Sequence, residues 1–299
     1  YWQVLPLSPT GYADSPYQGT SAFAGNPMLI SPDRLLAAGH LSAADLADRP
    51  AFSADRVDFG AVIAWKSALL DRAYAHFQSF SISERTPFER FCTEQAAWLE
   101  DVALFMALKQ AHDMRAWPEW PAPLAARDPA ALALARADLA DAILAQKYRQ
   151  WVFFEQWGAL RRYANQRGIR FIGDVPIFVA LDSADVWANT RLFHFDEQLR
   201  PSMISGVPPD YFSDTGQLWG HPLYRWDVMA AEGYRWWIDR FHAAFGFADV
   251  VRIDHFRGFY NYWAVPGDAT TAMQGEWRLG PGLGLFHAVA GALGDGPVF

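Results

Sequence analysis

Two hydrophobic periods alternate along this chain. At 169–179, "IRFIGDVPIFV" is a compact apolar run that predicts a strand ending at Asp174. At 249–254, "DVVRID" predicts another, with Val250 and Val251 buried. A strand alternates faces every residue, so Arg252 and Asp254 share one face while Val251 and Ile253 point to packing. "YWQVLPL" at 1–7 predicts a further strand. The stretch 61–168 instead follows a helical period: Phe91, Trp98, Val102 and Phe105 fall on one face, and Leu144, Tyr148 and Trp151 continue such a stripe. Asp128 and Pro129 suit an N-cap and a first helical position, and Gly168 suits a C-terminal cap. The span 128–168 is too long for one ordinary helix and predicts two. "LDSADVWA" predicts a short helix, and "WDVMAAEGYRWWIDRFHAAFG" a longer one interrupted near Gly233.

Two long segments fit neither period. "SPTGYADSPYQGTSAFAGNP" (8–27) and 196–224 are rich in Gly, Pro, Ser and Asp and predict loops. Tyr12, Tyr17 and Phe23 argue against disorder in the first, and loops of this length are commonly functional. The order strand, helical insertion, strand, loop, helix, strand predicts an α/β chain with a parallel sheet. Polar residues then stand at the carboxyl ends of its strands, where α/β barrels carry their active sites.

Composition narrows the chemistry. The 299 residues are 52% hydrophobic and 16% aromatic, with 14 Trp, which fits a large core or flat apolar platforms for sugar rings. Lys+Arg total 25 against 33 Asp+Glu, a net charge of −8 without a basic block. That argues against nucleic acid and favours a neutral substrate. The single cysteine, Cys92, excludes an intrachain disulfide and lies in the helical pattern "ERFCTEQAAW" as a small packing residue. A reducing, cytoplasmic compartment fits. No apolar run reaches the ~18 residues of a membrane span. The chain does not start with Met and stops at "GPVF", which has the look of a strand beginning, so an internal fragment is expected.

Phosphate-loop, HExxH, GxSxG and CxxC motifs are absent, and the eight histidines lack metal-ligand spacing. What remains is carboxylates at strand ends. Asp254 has Arg252 on its own face, and a neighbouring cation favours the ionised form that a glycosidase nucleophile requires. A structural Asp–Arg pair explains the same pattern. Asp174 serves equally as a turn cap. Tyr17 and Trp219 are loop aromatics, tucked under their loops or free to stack on a ligand; "PPDYF", with Tyr211 and Phe212, also reads as a rigid turn. His221 and His255 fit loop or core histidines bonded to backbone.

Together these blocks resemble the 4-α-glucanotransferases (amylomaltases) of glycoside hydrolase family 77, in the α-amylase clan. "WQVLPLSPTGYADSPYQGTSAFAGNP", "IGDVPIFVALDSADVW", "GVPPDYFSDTGQLWG" and "VRIDHFRGF" are similar to that family's motifs, in order, over almost the whole chain. The resemblance implies a (β/α)₈ barrel, incomplete here: strand and active-site loop over 1–27, a largely helical insertion and barrel helix over 28–168, and further catalytic strands over 169–299. It implies Asp254 as nucleophile and Arg252 as the group holding it. Asp174 and His255 would bind sugar hydroxyls, and Tyr17 would stack on the donor sugar. Tyr211, Phe212 and Trp219 would belong to an acceptor-side loop. The implied reaction moves an α-1,4-glucan segment between starch-type glucans or maltooligosaccharides, with no cofactor or metal. The family's acid/base Glu and third Asp would lie past Phe299. Glu276 reads as part of a loop, so residues 1–299 alone are expected to be catalytically silent. A hydrolase using the same residues and a non-catalytic glucan-binding module are the alternative readings.

Overall fold

The computed structural model describes residues 1–294. "GPVF" lies outside the described residues. Two sheets organise the chain. Three strands, β1 (Trp2–Gln3), β2 (Phe171–Val175) and β5 (Val250–Ile253), form a parallel sheet in the order β1-β2-β5. Asp174 pairs with Arg252 in the β2–β5 register. The second sheet is antiparallel, in the order β4-β3-β6-β7, from β3 (Met203–Val207), β4 (Gln217–Pro222), β6 (Asn261–Pro266) and β7 (Glu276–Leu279).

Helical segments fill most of the stretch between β1 and β2. The principal ones are Phe59–Gln78, Ile82–Glu94, Ala96–Ala111, Pro129–Asp138 and Ala140–Asn165. The expected division of 128–168 falls at Leu139. Phe91 and Trp98 sit on two consecutive helices, not one, yet both rings pack on Phe154, at 5.7 and 5.9 Å. Gly168 closes its helix at φ +74: its N–H bonds the Asn165 carbonyl, and the Ile169 N–H reaches back to Ala164. That is the double bond of a left-handed helix stop, which glycine enters without strain. Gly233, at φ +65, ends the helix Trp226–Ala231 in the same way before Arg235–Phe247 begins.

The amino ends of β2 and β5 are clamped to the long helix before them. Arg161 binds the Asp249 carboxylate and the carbonyls of Phe245, Gly246 and Ala248. Asp249 also accepts from the Phe171 N–H and from Asn165. Gly173 lets the strand come close, since a Cβ there would lie 2.8 Å from the Ala248 Cβ. The carboxyl ends are left free of this clamp.

Three expectations need correction. The segment 196–224 is not a plain loop, because β3 and β4 lie within it, and Trp219 is therefore a strand residue. Its Gly, Pro and Ser content hid the strands: Gly206 takes the place of a side chain where a Cβ would meet the Gln217 carbonyl at 2.7 Å. Glu276 opens β7 instead of sitting in a loop. The strand expected over 1–7 is paired regularly only at Trp2–Gln3, although the Val4 N–H still bonds Ile172. Cys92 is half-buried beside the helical core, and burial pushes its thiol up to about 11.

His221, on β4, packs the second sheet against the irregular segment that leaves β2. It is buried, its ring stacks on Phe178 at 6.3 Å, and its Nδ1 meets Ser205 Oγ at 3.1 Å. Nε2 makes no hydrogen bond among the described residues, though the Tyr17 backbone lies near enough to act on the ring. Burial lowers its pKa to about 4, the Tyr17 backbone offsetting only part. Above pH 6.5 the ring is neutral whether folded or not. As pH falls from 6.5 toward 4, the unfolded chain takes up a proton that the folded one refuses, so stability is lost across that window. By linkage this single group accounts for roughly 2 kcal/mol between pH 7 and pH 5. Denaturant melts of His221→Asn should show a correspondingly shallower fall than wild type over that range; parallel slopes would contradict the assignment.

Candidate active site

The site is built at the carboxyl ends of β2 and β5. Arg252 donates from Nη1 to Asp174 Oδ1 at 2.6 Å and from Nη2 to Asp254 Oδ1 at 2.7 Å. The first contact follows from the cross-strand register, the second from the period-two alternation along β5 and its continuation. The Asp254 N–H still bonds the Val175 carbonyl at 3.0 Å, so the ladder holds the backbone of this carboxylate. Tyr17 donates its hydroxyl to the other oxygen of Asp174 at 2.6 Å. One hydrogen-bonded row thus runs Tyr17–Asp174–Arg252–Asp254.

Its two carboxylates are not equivalent. The Asp174 side chain is 2% exposed with both oxygens bonded; that of Asp254 is 39% exposed, and one of its oxygens makes no hydrogen bond among the described residues. Burial, followed by the bond to Asp174, pushes the Tyr17 hydroxyl up to about 12, so it remains a donor. The bonds to Asp254 and Asp174 raise the Arg252 pKa further, keeping the guanidinium charged.

Tyr17 reaches this row because its loop is tied down. Ser15 caps a short turn over Pro16–Gln18, the Thr20 N–H bonds the Pro9 carbonyl, and the Ala22 N–H donates to Asp185 at 2.7 Å. Gln150 both accepts from and donates to the Gly25 backbone. His255 follows Asp254 in a left-handed conformation, φ 49, which turns the chain away from the sheet. Gly258 packs beneath it, since a Cβ there would lie 2.6 Å from the Ile177 Cδ1 and 3.3 Å from the His255 ring. Trp219 packs edge-on against His255 at 4.9 Å. Burial lowers the His255 pKa, with Asp254 opposing and Arg257 assisting.

The structure therefore gathers Tyr17, Asp174, Arg252, Asp254, His255 and Trp219. It does not bring Tyr211 and Phe212 into contact with them. These two rings meet edge-to-face at 5.7 Å in a turn capped by Asp210 and are 97% and 88% exposed. Glu276 pairs with Arg278 on the antiparallel sheet. No grouping of three His, Cys, Asp or Glu able to hold a metal occurs among the described residues. Sequence reasoning missed Arg240 and Asp185, both buried behind the site. Arg240 had a readable signal: it falls on the apolar stripe formed by Trp237, Phe241 and Ala244.

A family model described as 4-alpha-glucanotransferase matches residues 1–299. The chain is 51% identical over 299 residues to the 4-alpha-glucanotransferase of Thermus thermophilus, covering 100% of this chain and 59% of that protein. It is 48% identical over 296 residues to the one from Synechocystis sp., covering 98% of this chain and 59% of that protein. An amylomaltase from Streptococcus agalactiae, solved in complex with acarbose, superposes with a TM-score of 0.95 at 39% identity, over 99% of this chain and 60% of that one. A Corynebacterium glutamicum amylomaltase, at 19% identity and a TM-score of 0.78, shares the fold. The chain thus spans about 59% of the length of these two curated relatives. By sequence and by structure, it belongs to the 4-alpha-glucanotransferase family.

Proposed function

We propose that this protein transfers α-1,4-glucan segments between maltooligosaccharides or starch-type glucans by a retaining double displacement. The observation that carries the reading is the asymmetry of Asp254: one oxygen bound by Arg252, the other without a hydrogen bond among the described residues, at a strand end in a half-open position. That second oxygen attacks the anomeric carbon of the donor. The glycosidic C–O bond breaks, and the departing 4-hydroxyl oxygen takes a proton from a carboxylic acid. In the second half the acceptor's 4-hydroxyl gives a proton to that same carboxylate and attacks the anomeric carbon, releasing Asp254. Retention needs the second carboxyl ~5–5.5 Å from the nucleophile. Asp174 does not qualify, being buried with both oxygens engaged. Glu276 is held by Arg278 on the other sheet. No described residue is assigned the acid/base role.

The remaining assignments belong to the same reading. Asp174 and His255 bind hydroxyls beside the cleaved bond, Arg252 holds and polarises Asp254, and Tyr17 stacks on the donor sugar. Tyr211, Phe212 and Trp219 serve the acceptor side; the exposure of the first two fits a loop that closes on a ligand. The parallel strands β1, β2 and β5 are part of a (β/α)₈ barrel, with 1–27 its first strand and loop, 28–168 a helical insertion and barrel helix, and 169–299 further catalytic strands. Among the described residues no helix is long and apolar enough to cross a membrane, and the single cysteine fits a cytoplasmic setting.

The protein expressed from its complete gene is expected to convert maltotriose to glucose plus longer oligomers, with no net gain of reducing ends. Reducing ends that rise without longer products would mean hydrolysis, and glucan binding without turnover would mean a binding module. Acarbose, bound in the Streptococcus agalactiae amylomaltase, should inhibit. Asp254→Asn keeps the shape, loses the nucleophile and should lower turnover by at least about 10³-fold while glucan binding persists. Wild-type turnover in that variant would remove Asp254 from its role. Tyr17→Phe, which deletes one hydrogen bond to a charged group, should cost roughly tenfold in kcat/KM; an unchanged value would show that the phenol is dispensable.

A further inference from the structure

The segment that leaves β2 poses a backbone problem. Residues Ile177 to Ala180 are buried, yet they lie in neither helix nor sheet. Buried irregular backbone has carbonyls with no ladder partner, and each must find a donor. Arg240 supplies two. From the helix Arg235–Phe247 its Nη1 donates to the Ile177 carbonyl at 3.1 Å, and its Nη2 donates to the Pro176 carbonyl. Tyr224 adds a third bond, also to the Ile177 carbonyl, at 2.8 Å. Pro176 is two residues past Asp174, so the guanidinium grips the backbone just beyond the strand end that presents the Asp174 carboxylate to Tyr17 and Arg252.

A buried guanidinium is costly unless its charge and its donors are both accommodated. No carboxylate lies within 4.0 Å of Arg240 among the described residues. It is accommodated by the two carbonyls, by the Tyr224 hydroxyl oxygen at 3.4 Å, by the indole faces of Trp236 and Trp237 at 5.4 and 4.7 Å, and by the longer-range field of Asp185. Asp185 is itself the acceptor for Ala22, in the loop that carries Tyr17. Arg240 also lines the cleft shared by Tyr17 and Asp174. Its charge therefore stands between the two segments whose side chains meet in the Tyr17–Asp174 bond.

We propose that Arg240 is a positioning residue for the transfer reaction: by holding the Pro176 and Ile177 carbonyls it fixes Asp174 against Tyr17 and Arg252, and so the orientation of the donor sugar. The inference rests on the glucan-transfer reading for its kinetic consequence. A group that orients a substrate beside the reacting bond acts on kcat, since small misplacements near the chemistry are costly. A residue that only stabilised the fold would change the melting temperature and leave kcat per folded molecule alone.

The test compares wild type, Arg240→Met and Arg240→Lys, each expressed from the complete gene. Maltotriose transfer is measured well below the melting temperature, and each variant is crystallised. Arg240→Met should lower kcat per folded molecule about tenfold or more, with KM within about threefold. Arg240→Lys, which restores a charge and one donor, should recover kcat to within about threefold of wild type. In the Met variant the Tyr17–Asp174 or Asp174–Arg252 contact should open beyond about 3.5 Å. Wild-type kcat in Arg240→Met, no recovery in Arg240→Lys, or both contacts intact in the Met crystal would each overturn the proposal. Should the Met variant fail to fold, Tyr224→Phe carries the test, since it removes one donor from the Ile177 carbonyl and one acceptor from Arg240, and no charge. A kcat loss of about threefold supports the proposal, and unchanged kcat overturns it. If wild type transfers no glucan, the functional reading has failed, and the crystal contacts alone decide this inference.

Discussion

Everything at the carboxyl end of the parallel sheet depends on one guanidinium between two carboxylates. Arg252 bridges Asp174 and Asp254, and each carboxylate is held at a defined oxygen. The geometry of the strands makes this possible. The β2–β5 register sets Asp174 opposite Arg252, and period-two alternation sets Asp254 on the same face. Two different relations, one across the sheet and one along it, converge on one side chain.

Burial then divides the labour. Asp174 is enclosed, doubly bonded and fixed by Tyr17, so it is suited to positioning. Asp254 is 39% exposed, and its second oxygen makes no hydrogen bond among the described residues. The surroundings carry the cost of this arrangement. The exit from β2 is irregular buried backbone whose carbonyls need donors, and Arg240 and Tyr224 provide them. The amino ends of the same strands are locked by Arg161 and Asp249. Rigid packing at one end lets the other end present polar groups in fixed places.

Much of this was legible in the sequence because it depends on local periodicity. The Val-Val-Arg-Ile-Asp alternation gave the shared face of Arg252 and Asp254, and the Gly168 and Gly233 helix stops follow from the left-handed backbone that glycine adopts readily. The bridge to Asp174 was not legible, since it depends on a register between strands 78 residues apart. The antiparallel strands inside 196–224 escaped for a different reason. Their Gly206 and Gly216 are demanded by close backbone approaches, and those same glycines imitate a loop. Arg240 stood in plain view as a charge on an apolar helix face; the carbonyls it satisfies come from a distant segment, which no local pattern names.

The proposed mechanism requires that Asp254 becomes covalently glycosylated during transfer. The most direct measurement is mass spectrometry of the protein, expressed from its complete gene, after incubation with a fluorinated α-glucosyl donor whose second step is slow. The account predicts one added glycosyl mass, located by peptide mapping on Asp254 and lost when a maltooligosaccharide acceptor is supplied. A stable label on any other carboxylate, or turnover with inversion at the anomeric carbon and no label, would contradict it.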